Sequence, residues 1–262
     1  MSEITYSRDG DVAIITFNNA PVNAFSRTFE SLYREHILKA MNDNCRALLT
    51  RAEGPNFCAG ADVNMFVDKD RRHASGLVSS AINMMNLIES LPIPTVCSVN
   101  GIAIAAGMEI MMAHDIAIVG ESAQIGQTEA LIGTATLAGG AQRLAARVGI
   151  ARAKQMVFEG RMYDAQTLER WNVVNMVVPD NELDKAALAY TKKLAAGPTV
   201  ALSVGKTAIN AFAGACLGPA DQVVMSAAPQ VFETIDKKQG VATFLKHGAK
   251  AFASGSIKFK GH

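Results

Sequence analysis

Glu109 stands inside the run GIAIAAGMEIMMAHDIA, residues 101–117, where nearly every neighbour is apolar or small. A carboxylate in such a setting sheds hydration, so it must gather donors, take up a proton, or keep contact with water. The alternative is an amphipathic helix with Glu109 on its wet face. Glu129, in GQTEALIG, follows 20 residues later, room enough for helix, strand and return, so both carboxylates can meet at one end of a sheet. Paired acids in one pocket push their pKa values apart, and one then holds a proton while the other accepts one. Adding or removing water across a double bond requires that pairing. Taken alone, Glu129 also reads as a loop carboxylate in solvent.

Two small-residue loops accompany the acids. CAGAD, residues 58–62, and AIAAGME, residues 103–109, each follow an expected strand and use Gly and Ala where bulk would block approach to the backbone. Converging N–H groups of Ala61 and Ala106 would form an oxyanion hole, worth roughly 3 kcal/mol per donor toward charge on a carbonyl oxygen. The same loops also suit close strand–helix packing. Other chemistries lack their motifs: there is no GxxxxGK[ST], no GxGxxG after a strand, no HExxH and no GxSxG. His36, His73, His114, His247 and His262 show no metal-ligand spacing, so no metal is expected, and His114-Asp115 reads as an electrostatic partner of a helix C-terminus.

The elements that must position these groups read as alternating α/β. ITYSRDGDVAIITF gives two strands joined at Asp9-Gly10, a dipeptide that tolerates the positive φ of a tight hairpin. After Ser26, an N-cap residue, Phe29, Leu32, Tyr33, His36, Ile37 and Ala40 recur at helical spacing, and RALLTRAEG follows as a short buried strand. RHASGLVSSAINMMNLIESLP is a second helix, stopped by Pro92, and PTVCSVNG a further strand. A helix from about Gly107, a strand at DIAIVG, a loop carrying Glu129 and two helices within GGAQRLAARVGIARAKQMVFEG continue the alternation. From about Ala186 onward no strand is expected, which makes the C-terminal part a helical appendage.

Composition narrows the class. With 49% hydrophobic and 19% charged residues over 262 positions, the chain is an ordinary globule rather than a disordered or fibrous one. A formal net charge of +1 without a basic run argues against nucleic acid as a partner. Cys45, Cys58, Cys97 and Cys216 are scattered without a CxxC pair, as suits reduced thiols. The start MSEITYSRDGD shows no signal or transit pattern, so a cytoplasmic location is expected. The longest apolar stretch is interrupted by Pro92, Pro94, Asn100, Glu109, His114 and Asp115, a poor membrane span.

The blocks NFCAGADVNMF, PTVCSVNGIAIAAGMEIMMAHDI, AQIGQTEALIGTATLAGGAQRLAARVG and GRMYDAQTLERWNVVNMVV resemble, in content, order and spacing, the crotonase (enoyl-CoA hydratase/isomerase) superfamily, over about residues 4–252. The resemblance implies an α/β spiral of ββα units over residues 1–195 that carries the CoA and catalytic site. A helical C-terminal oligomerisation region over 196–262 would build a homotrimer or dimer of trimers. It implies an acyl-CoA thioester substrate, with coenzyme A part of the substrate and no separate cofactor. The thioester carbonyl would lie between the N–H groups of Ala61 and Ala106, with Glu109 as base on water and Glu129 as acid toward Cα, or with the pair sharing these roles. Asn23, Ala24, Phe25, Ala59 and Asp62 would contact CoA, mostly through backbone, and Phe252 matches a C-terminal aromatic that reaches the CoA of a neighbouring subunit. Met65, Phe66, Met84 and Met85 are acyl-pocket candidates or core. The activity implied is that of an enoyl-CoA hydratase, a hydro-lyase giving 3-hydroxyacyl-CoA. Double-bond isomerisation and a catalytically weak acyl-CoA- or RNA-binding relative are the alternatives.

This sequence departs from the family pattern at GTATLAGG, where Thr136 and Leu137 replace the Pro-Gly of G-T-x-P-G-x-G-G. Leu137 adds bulk beside the expected water, where it narrows the acyl site, shifts the water or points away. The tail after Phe252, ASGSIKFKGH, runs past the usual end and reads as an interface element or a disordered extension.

Overall fold

The computed structural model describes residues 3–67, 70–215, 217–247 and 258–262. Its chain opens with the expected hairpin: β1 (Ile4–Asp9) and β2 (Val12–Phe17) pair antiparallel around Gly10, whose φ of +62° the turn requires. The Ser26 side chain accepts from Phe29 N at 3.0 Å and starts α1 (Arg27–Asn42). β3 (Ala47–Ala52) then lies parallel to β2. Asp70 caps α2 (Arg71–Glu89) in the same way as Ser26 caps α1, and β4 (Thr95–Val99) returns parallel to β3.

Next come β5 (Ile102–Ile104), α3 (Ala106–Ala113), β6 (Ile116–Gly120), β7 (Gln124–Gly126), α4 (Gly140–Val148) and α5 (Ile150–Glu159). β8 (Tyr163–Asp164), α6 (Ala165–Arg170), β9 (Met176–Val178) and α7 (Leu183–Ala195) complete the α/β part. α8 (Thr199–Ala215), α9 (Leu217–Ala227) and α10 (Ile235–His247) follow, and among the described residues no strand comes after Val178.

The strands form two sheets, a larger one in the order β1-β2-β3-β4-β6-β9 and a smaller one in the order β5-β7-β8. The smaller sheet is extended by single bridges from Cys58 to Ala103 and from Phe25 to Ala61. Each turn of the chain therefore lays a strand in the large sheet, a short extended piece beside it, and then a helix, which is the ββα spiral. The small sheet is absent from the sequence-based reading, which has loops there. Its strands are two or three residues long, too short to display a period of two.

Period-two alternation in the large sheet feeds both of its faces. Ala13, Ile15, Phe17 and Leu48 pack with Phe29, Tyr33 and Met85 of α1 and α2. Val12, Ile14, Leu49 and Val96 face Leu183, Ala187 and Ala195 of α7. A strand buried on both faces reads as a continuous apolar run, as β2 does, with all six residues buried. Each fully buried large side chain contributes roughly 1.5–3 kcal/mol, and a change such as Ile15→Ala removes about 2–5 kcal/mol.

His114 corrects one expectation. It is fully buried, with Nδ1 2.8 Å from the Ile110 carbonyl and Nε2 2.9 Å from Thr50 Oγ1. Burial pulls its pKa down to about 4, so it caps α3 as a neutral donor and not as a cation. Asp115 is engaged separately, accepting from Thr95 N at 2.8 Å and Lys206 Nζ at 2.9 Å. Cys45, Cys58 and Cys97 are free, buried thiols, and Cys216 lies outside the described residues. Among the described residues no helix is long and apolar enough to cross a membrane. Residues 258–262 of the tail are tied down: Arg46 Nη1 donates to the Phe259 carbonyl at 3.0 Å, and Asp236 accepts from Gly261 N at 2.7 Å.

Candidate active site

The two small-residue loops come together through the short bridges. Phe25 N donates to Gly60 O and Asp62 N to Phe25 O, while Ile104 N donates to Cys58 O and Ala105 N to Gly126 O. The N–H groups of Ala59, Asp62, Ile104 and Ala105 are thus spent on nearby backbone carbonyls, yet neither the Ala61 nor the Ala106 N–H reaches an acceptor among the described residues. Ala106 is the first residue of α3, where an N–H has no acceptor within its own helix. The turn that presents it passes through Ala105 at φ +50°, ψ −119°, a conformation that L residues rarely adopt and that usually marks a functional site. A Cβ placed on Gly60 would sit 3.3 Å from Ala105 Cβ, so the loops touch, and one on Gly107 would sit 2.2 Å from Cys58 O. Close packing and free N–H groups, offered above as alternatives, occur together.

Ala61 and Ala106 line a cavity of about 50 Å³ whose wall also includes Glu109, Leu137, Phe25 and Glu30. Glu109 lies in the first turn of α3, where the helix dipole favours a negative charge. All eight residues of that helix are buried, and Glu109 itself is 3% exposed. Its Oε1 accepts from Ala138 N and Gly140 N, both at 2.9 Å. Desolvation pushes its carboxyl above the ordinary range, against the pull of those two N–H groups and of the Arg143 charge. Gly140 is obligatory, because a Cβ there would fall 2.8 Å from Glu109 Cγ and 2.7 Å from the Gln127 amide. Arg143 steadies the same turn, with Nη1 3.3 Å from Ala138 O and Nη2 2.7 Å from Glu89 Oε2 at the end of α2.

Glu129 opens a short 3₁₀ turn, Glu129–Ile132, and is 8% exposed. Desolvation first, and then the charge of Glu109, raise its pKa to about 7. Gln127, 1% exposed, lies with one end of its amide 2.7 and 3.1 Å from the two Glu129 oxygens, and donation to them assigns the nitrogen to that end. Glu129 is not part of the cavity wall that holds Glu109; Leu137 and Ala138 are. The segment bearing Thr136 and Leu137 holds Glu109 through backbone N–H groups alone. Its side chains are therefore free to vary without loosening the carboxylate, and Leu137 turns into the cavity wall.

The remaining expected contacts divide. Phe25, Met65, Phe66 and Met85 line the cavity, whereas Met84 is fully buried in the core. Asn23 is fully buried, and its side chain accepts from Asn19 N and donates to the Glu53 and Asn56 carbonyls, so it staples its loop and leaves only backbone to offer. Ala59 donates its N–H to Val22 O, and Asp62 caps the following turn by accepting from Asn64 N at 3.0 Å. Ala24 is half-buried beside Phe25. Phe252 lies outside the described residues. Sequence reasoning missed Gln127, Arg143 and Glu30. Gln127 had a usable signal, a second polar side chain two positions before a candidate acid.

Comparison with known proteins agrees with this layout. The sequence model of the enoyl-CoA hydratase/isomerase family matches residues 7–255. Over 251 residues the chain is 28% identical to the short-chain-enoyl-CoA hydratase of Clostridium acetobutylicum, covering 94% of this chain and 95% of the relative. It is 29% identical over 229 residues to the mitochondrial methylglutaconyl-CoA hydratase of Mus musculus, covering 85% and 73% respectively. The crystal structure of an enoyl-CoA hydratase from Bacillus anthracis superposes with a TM-score of 0.88 at 28% identity, over 99% of this chain and 100% of that one. Sequence and fold together place this chain in the crotonase superfamily, as a member of the enoyl-CoA hydratase/isomerase family.

Proposed function

We propose that the protein is an enoyl-CoA hydratase that adds water syn across the double bond of a trans-2-enoyl-CoA to give the 3-hydroxyacyl-CoA. The observation that carries this reading is one cavity wall holding two unpartnered N–H groups, Ala61 and Ala106, beside the buried carboxylate Glu109. The thioester oxygen accepts from both N–H groups. Glu109 takes a proton from water as its oxygen attacks C3, the π pair moves toward C2 and the thioester oxygen, and the resulting enolate is held by the two donors. Glu129, poised near neutrality with its proton, delivers it to C2. Gln127 orients that acid through its side-chain amide. Coenzyme A enters as part of the substrate and no further cofactor has a step to perform.

Leu137 in the wall, and Glu129 outside it, favour a second reading in which one carboxylate shuttles a proton during double-bond isomerisation. The test is loss of 2-enoyl thioester absorbance with crotonyl-CoA and longer homologues, in wild type and in the Glu109→Gln and Glu129→Gln variants. Hydration demands both acids, and isomerisation of a 3-enoyl-CoA survives loss of one. Wild type that hydrates no chain length while isomerising a 3-enoyl-CoA overturns the hydratase. We also assign to the C-terminal helices the assembly of a homotrimer or dimer of trimers. Support comes from an open apolar groove along Val224, Met225, Ala228, Pro229 and Phe232, which holds no titratable side chain.

A further inference from the structure

We propose that Glu30 sets substrate choice by reading a hydroxyl group on the distal part of the acyl chain; the inference rests on the acyl-binding reading of the cavity above. Glu30 lines the cavity together with the apolar Met65, Leu77, Ala81 and Met85, and apart from Glu109 it is the one carboxylate among the lining residues. It is 5% exposed. A carboxylate this buried is retained only when its oxygens are satisfied. The Ser80 hydroxyl of α2 donates to Oε1, Arg34 lies 3.6 Å from Oε1, and Arg27 lies 3.5 Å from Oε2.

Those partners fix the carboxylate and leave it capacity, since two carboxylate oxygens accept about four hydrogen bonds. Both arginines belong to the solvent side, with side chains 55% and 37% exposed. They offset the charge of Glu30 and so favour a neutral donor over an ammonium group as the ligand. A plain alkyl terminus meets an acceptor it cannot use and partly desolvates it. A hydroxyl donates to it. Sites built to bond a substrate hydroxyl discriminate against the analogue lacking it, because the analogue takes water from the acceptor without replacing its hydrogen bond.

The experiment compares five- and six-carbon acyl-CoA thioesters with and without a terminal hydroxyl, in two readouts: Kd of the saturated thioesters by calorimetry, and kcat/KM of the trans-2-enoyl forms. Wild type is expected to favour the hydroxylated member by about tenfold or more at one chain length, the scale of a hydrogen bond to a charged group. Glu30→Leu should reverse that preference by gaining on the alkyl chain, and Glu30→Gln, which keeps an acceptor, should retain part of it. Glu30→Gln carries the test if the leucine variant does not fold. Equal binding of each pair by wild type, or a preference unchanged in both variants, overturns the proposal and leaves Glu30 as a tie between α1 and α2. Tight binding with no hydration of either member sinks the hydratase reading alone, whereas binding of neither sinks both.

Discussion

The site and the C-terminal helices treat exposure in opposite ways. Around the cavity the chain buries its charges: Glu109, Glu129 and Glu30 are each under a tenth exposed, and each is held by named donors or by a neighbouring amide. In α8–α10 and the turn between them the chain exposes its apolar groups instead, with Ile209 68%, Phe232 65%, Met225 60% and Leu245 79% exposed. In the first region the three carboxylates find their partners within the chain. The second leaves large apolar side chains uncovered among the described residues, the feature on which the proposed assembly rests. In the proposed function, chemistry and assembly separate along the sequence, with α1 to α4 carrying the former.

The strongest challenge to this contrast is removal of the acids. Glu109→Gln and Glu129→Gln should each lower kcat for hydration by about a hundredfold or more, the scale of lost acid–base catalysis, with KM little changed; absorbance kinetics measures this. A variant that hydrates at the wild-type rate removes that carboxylate from the mechanism.

Glu129 also predicts a pH effect on folding. Its folded pKa of about 7 lies above the ordinary 4.5, so its contribution is fully present below about pH 4.5 and is lost as pH rises through 7. Relative to Glu129→Gln, wild type should lose about 3 kcal/mol between pH 4 and pH 8. Denaturant melts across that range give the difference directly, and a flat difference means the group is not held protonated.

Gly140→Ala should cost about 1–3 kcal/mol of stability from overpacking and reduce kcat as well, since the new Cβ displaces Glu109. A stable, fully active variant would show that the turn can yield without moving the acid. The smallest effect on the core is expected from Leu245→Ser, at most about 0.5 kcal/mol for a surface side chain. The same change should weaken self-association, which light scattering of wild type and variant over a dilution series reads out. A wild-type chain that stays monomeric at all concentrations breaks the contrast drawn above.

Much of the scaffold was legible beforehand because it is written in local signals. Ser26 announces α1, Pro92 follows the end of α2, and the apolar runs of β2 and β4 read as buried strands. The small sheet was not legible, because its strands are defined by partners far along the chain, as when Cys58 bridges Ala103. Glu109 illustrates the limit within the site. Every residue of α3 is buried, so no polar stripe exists from which to decide which way a lone carboxylate points. Glu30 failed to attract notice for the opposite reason: α1 is amphipathic, and a glutamate between Phe29 and Ser31 looks like its wet face until α2 packs over it with Ser80. His114 was misread because a histidine at a helix end suggests charge, and only burial makes it neutral.

The sequence by itself determined the order of the main helices and large-sheet strands up to Gly120, the family, and the presence of two acids beside two small-residue loops, since these depend on residue type and spacing along the chain. The tertiary structure alone decided that the Ala61 and Ala106 N–H groups stay unpartnered while their neighbours pair. It also decided that Glu129 holds a proton near neutrality, that Leu137 joins the cavity wall, and that Glu30 stands in it. Hydrogen-bond vacancies, desolvation and cavity walls are properties of what surrounds a group, and those surroundings are assembled from segments that are far apart in sequence.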